Sequence, residues 1–65
     1  MKVDRITIYP KDIQLITGRS ERYGRLLLRK IKLHFHKEDH QFVTIEEFCT
    51  YTGLKIDNVT QYLIR

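Results

Sequence analysis

Apolar positions recur most regularly between Ser20 and Phe35. Counted at helical spacing, Gly24, Leu27, Leu28, Ile31 and Phe35 share one face, while Arg22, Arg25, Arg29, Lys32 and His36 share the opposite one. One face suits a core; the other is a cationic stripe. Ahead of it, Thr17-Gly18-Arg19-Ser20 supplies a glycine C-cap and a serine N-cap, so two helices are expected to meet there at an angle.

The rest of the chain arranges itself around that stretch. Residues 3–9, VDRITIY, alternate like a strand and are rich in β-branched residues. With no second strand in the pattern, they are expected to lie as an extended arm across the helices or to pair with a second subunit. Pro10 suits the first position of a short helix ending at Thr17, with Ile13, Leu15 and Ile16 available for burial. The long helix follows to Phe35. Gly24, at the centre of its apolar face, costs about 1 kcal/mol against alanine and is expected to permit close approach of the preceding helix. HKEDHQ, residues 36–41, opens a loop. Thr44-Ile45-Glu46-Glu47 is a capping box, opening a helix that carries Ile45, Phe48, Cys49 and Tyr51 and closes at Thr52-Gly53. A last helix from about Ile56 to Ile64 is expected to bury Val59, Tyr62 and Leu63.

Shifting the sequence by 35 lays one half on the other: Ile8 on Val43, Asp12 on Glu47, Ile13 on Phe48, Thr17-Gly18 on Thr52-Gly53, and Leu28 on Leu63. Identities are few, so the match implies shared structure. The expected architecture is a single all-α domain over 1–65, with four short-to-medium helices. An extended arm (1–9) precedes a first helix-turn-helix pair (10–35), a loop (36–43) and a second pair (44–65).

Charge separates the two pairs. Residues 19–37 hold seven cations (Arg19, Arg22, Arg25, Arg29, Lys30, Lys32, Lys37) and one acid, Glu21; from Glu38 onward there are two cations and five acids. A net charge of +4 is therefore concentrated on one helix face, where a phosphate backbone could lie. A plainly solvated helix face is the bland alternative. The lone Cys49 excludes an intrachain disulfide. With no apolar run of signal-peptide or membrane-span length, a cytoplasmic location and no membrane partner are expected.

In the second half, TIEEFCTYTGLKIDNVTQYL resembles the helix-turn-helix segment of small excisionase and MerR-type DNA-binding proteins, with its Thr-x-x-Glu start and glycine in the turn. The resemblance covers about twenty residues. It implies a DNA-binding role in transcription regulation or as a recombination or excision accessory factor. The family's usual chemistry is altered, because the final helix presents Asp57, Asn58, Thr60 and Gln61 with no cation before Arg65. Asn58 and Gln61 could read base edges, and Lys55 could hold a phosphate, which makes these three a secondary contact.

The expected primary contact is therefore Arg19, Ser20, Arg22, Arg25, Arg29 and Lys32 in the first half, toward DNA. Leu26 and Leu33, seven apart at the border of the basic face, are the candidates for self-association into a homo-oligomer. The alternative reading is a protein-interaction or dimerisation module whose basic helix docks an acidic partner. His34, His36, His40 and Cys49 lack the paired spacing of a zinc site, so no metal and no cofactor are expected. There is no phosphate-cradling glycine loop and no nucleophile elbow. Neither an enzyme nor a small-molecule substrate is inferred.

Overall fold

The computed structural model describes residues 6–63, and these form four helices: α1 (Pro10–Thr17), α2 (Glu21–His34), α3 (Ile45–Thr52) and α4 (Ile56–Leu63). The expected all-α class and the two helix-turn-helix pairs are present. Pro10 opens α1, where its missing N–H costs no helical hydrogen bond. Ser20 caps α2 by accepting from the Tyr23 N–H at 3.1 Å. Thr44 caps α3 reciprocally: its hydroxyl accepts from the Glu47 N–H at 3.0 Å, and the Glu47 carboxylate accepts from the Thr44 N–H at 2.9 Å. At α1 the Asp12 carboxylate accepts from the Tyr9 N–H at 2.8 Å.

The internal repeat holds at the level of individual hydrogen bonds. Gly18 donates to Gln14 O, as Gly53 donates to Cys49 O, both at 2.9 Å and both glycines left-handed, at φ 74° and 79°. The Thr17 hydroxyl donates to Ile13 O at 2.7 Å, as Thr52 donates to Phe48 O at 2.8 Å. The Arg19 and Leu54 N–H groups then donate to those same two hydroxyls. Each bond in one half is its counterpart in the other displaced by 35 residues.

Among the described residues, the halves meet at a single antiparallel bridge. Thr7 and Thr44 form it, with Ile8 N–H donating to Val43 O at 3.0 Å and Ile45 N–H to Ile6 O at 2.8 Å. In that register Ile8 lies opposite Val43, its own counterpart in the repeat. Ile45 uses an N–H that its counterpart Pro10 lacks, so the repeat does not extend to that bond. Thr7 thus finds a partner within the chain that its sequence pattern did not suggest, in the short extended run just before α3, which is too brief to carry a strand pattern. Residues 1–5 of the expected arm, and Ile64 and Arg65, lie outside the described residues.

One core joins all the parts. Ile8, Ile13, Leu27, Ile31, Val43, Ile45, Phe48, Cys49, Val59 and Leu63 are buried together, with Ile16, Tyr23, Leu28 and Phe35 packed against them. α1 packs on α2 and α4, and α2 also meets α3, where His34 places its ring edge-on to Tyr51 at 5.2 Å. Two expected core residues are out. Leu15 is 47% exposed because it lies two positions from Ile13, about 200° around the helix, and Tyr62 is 49% exposed beside the buried Leu63. Gly24 does what its position implied, abutting Pro10 so closely that a Cβ would stand 2.6 Å from the Pro10 carbonyl oxygen.

Candidate nucleic-acid interface

α2 is the longest helix, and 14 residues at 1.5 Å each carry it about 21 Å across a molecule 31 Å in its longest dimension. Gly24, Leu27 and Ile31 are its buried residues, and Tyr23 and Leu28 pack against the core beside them. Arg22, Arg25 and Arg29 are exposed and Lys32 is half-buried.

The cations differ in what holds them. Arg19 stacks over the Tyr23 ring, with its guanidinium carbon 4.3 Å from the ring centre, which stiffens the side chain at the start of α2. Arg25 pairs with Glu21 one turn earlier at 3.3 Å, and both side chains are well exposed. Pairs of this kind are worth about 0–1 kcal/mol, so Arg25 can exchange its partner at little cost. Lys32 Nζ donates to Asp39 O at 2.8 Å and ties the loop to the helix. Among the described residues, Arg22 and Arg29 make no ion pair. The Ser20 hydroxyl oxygen is committed to the cap, which limits the contact expected of it.

Three of the expected contact residues converge. Arg25, Arg29 and Lys32 line one hollow with Pro10, Leu28 and Asp39. The secondary set does not join them: Lys55 is exposed in the turn before α4, and Asn58 and Gln61 are exposed on α4, which packs on α1 and α3 rather than α2. Asn58 instead lines a mainly apolar groove with Ile16, Thr17, Leu54, Val59 and Tyr62. Leu26 and Leu33, 48% and 71% exposed, border the basic face near Arg22, on the side away from Pro10.

The second half holds its acids differently. Burial pushes the Glu47 carboxyl up, but the Thr44 N–H and the Lys37 ammonium, 3.1 Å away, outweigh it and hold the group below its ordinary value. Burial pushes the Cys49 thiol up. Among the described residues, no group of three or more histidine, cysteine or acidic side chains is placed to hold a metal ion, and no helix is long and apolar enough to cross a membrane.

Sequence reasoning did not find Pro10, Leu28 and Asp39 as neighbours of the cations, nor the pairing of Lys37 with Glu47. The walls of the hollow come from three separate parts of the chain. The one available signal was Gly24, which announces that something comes close to α2 without saying what. No protein-family model, curated protein or solved structure matches the chain.

Proposed function

We propose that this is a small helix-turn-helix DNA-binding protein that contacts phosphates through the outer face of α2, in transcription regulation or as a recombination accessory factor. The observation that carries the reading is a comparison inside the chain. α4 occupies the place in the second unit that α2 occupies in the first, yet it has Asp57 where α2 has Arg22 and Thr60 where α2 has Arg25. The shared scaffold is built without those cations, so folding does not account for them. A predominantly cationic face whose ion pairs are few and exposed suits a polyanion. Regulation and recombination remain roles drawn from the partial resemblance of residues 44–63.

The test is a titration of random 20-base-pair duplex DNA at two salt concentrations. If three to five of the α2 cations each neutralise a phosphate, log K falls against log salt with a slope of about −3 to −4.5. Binding no tighter than that of a charge-matched control protein at moderate salt would refute the reading.

The exposure of Leu26 and Leu33 favours one second reading, a surface for a protein partner. Two α2 helices facing each other there would bring Arg22, Arg29 and Lys30 of both copies together, at a cost in like-charge repulsion. This reading therefore calls for an acidic partner. Sedimentation showing the protein strictly monomeric, with no complex formed with acidic proteins, would remove it.

A further inference from the structure

We infer that the hollow formed by Pro10, Arg25, Leu28, Arg29, Lys32 and Asp39 is a built seat for one phosphodiester unit of the bound DNA; this rests on the DNA-binding reading above. The hollow exists because Gly24 lets the first residue of α1 press against α2: Pro10 becomes one wall, and Leu28, one turn beyond Gly24, forms the floor beside it. The Lys32 bond to Asp39 O holds the loop as the opposite wall.

Three cations and one acid line this bay, leaving an excess of two positive charges over an apolar base. A lone inorganic anion would have no use for the base. A nucleic-acid backbone unit has both parts, an anionic phosphate for Arg25, Arg29 and Lys32 and a largely apolar deoxyribose for Pro10 and Leu28. Arg29 carries no ion pair among the described residues, and Arg25 gives up only an exposed one. Lys32 has two further N–H groups after serving Asp39. The bay contains no aromatic ring on which an unstacked base could lie, which favours a backbone contact over a single-strand platform. Arg22, by contrast, stands on the open ridge and does not line the bay.

The two arginines therefore separate a seat from a charge. Arg29→Gln and Arg22→Gln each remove one positive charge from α2. The seat predicts that Arg29→Gln weakens binding of a 20-base-pair duplex at least fivefold more than Arg22→Gln and reduces the salt slope by about 0.9. It also predicts that the Leu28 methyl NMR signals shift when duplex DNA is added. Equal losses from the two variants, with unmoved Leu28 methyls, would overturn the seat while leaving DNA binding by the face intact. No duplex binding by the unaltered protein would overturn both.

Discussion

Replacing Gly24 with alanine isolates the contact on which the first helix pair depends. For an exposed helical glycine the change adds about 1 kcal/mol of stability through propensity alone. Here the new Cβ would lie 2.6 Å from the Pro10 carbonyl oxygen, 3.1 Å from its Cα and 3.3 Å from its carbonyl carbon. Carbon atoms in contact settle about 3.5–4.0 Å apart, so α1 and α2 must separate by roughly 0.5–1 Å. The obstruction is backbone and cannot rotate aside. Overpacking of this sort costs about 1–3 kcal/mol, and a rigid obstacle puts the cost at the upper end. Net of propensity, Gly24→Ala is expected to destabilise by about 2 kcal/mol, lowering Tm by about 8–16 °C in a domain of this size. Urea unfolding followed by circular dichroism measures it. A variant as stable as the parent, or stabilised by about 1 kcal/mol, would show that α1 does not approach α2 as described.

Three further outcomes follow from the same geometry. Thr44→Ala breaks a reciprocal cap and should cost about 1–2 kcal/mol in urea unfolding, at least as much as Ser20→Ala, which removes a single cap bond; a smaller loss at Thr44 would deny the box its role. Because Glu47 is held below its ordinary value of about 4.3, its contribution to stability is present above that pH and is lost as pH falls through the lower folded-state value. Glu47→Gln should therefore flatten the acid limb of a stability-against-pH curve, and an unchanged limb would contradict the assignment. Cys49 is buried with its thiol pushed up, so labelling by a thiol reagent in native buffer should be much slower than in denaturant, and equal rates would place the residue outside the core.

The features legible in the sequence were those fixed by near neighbours. Ser20, Thr44, Gly18 and Gly53 mark their helix ends through bonds spanning three or four residues, and the periodicity of α2 gave its buried face. The 35-residue echo led to a repeat now visible in matched hydrogen bonds. What escaped was set by distant parts of the chain. Thr7 meets Thr44 across most of the domain, and one bridge leaves no alternation to read. In helices of eight residues the apolar stripe is too short to separate Ile13 from Leu15, or Leu63 from Tyr62, by composition alone. The bay was hidden for the same reason. Its cations were evident from their spacing on α2, but its walls come from the start of α1 and a loop residue, brought in by Gly24 and Lys32.

The central claim is that binding belongs to the α2 face and not to the protein's overall charge. The repeat supplies the measurement that separates the two. Exchanging counterparts in one variant, Arg22→Asp, Arg25→Thr, Asp57→Arg and Thr60→Arg, leaves the net charge at +4 and moves two arginines to the equivalent places on α4. With circular dichroism confirming an unchanged helical fold, the account predicts at least a tenfold loss of affinity for duplex DNA at moderate salt and a shallower salt slope. An affinity and slope equal to those of the parent would contradict it.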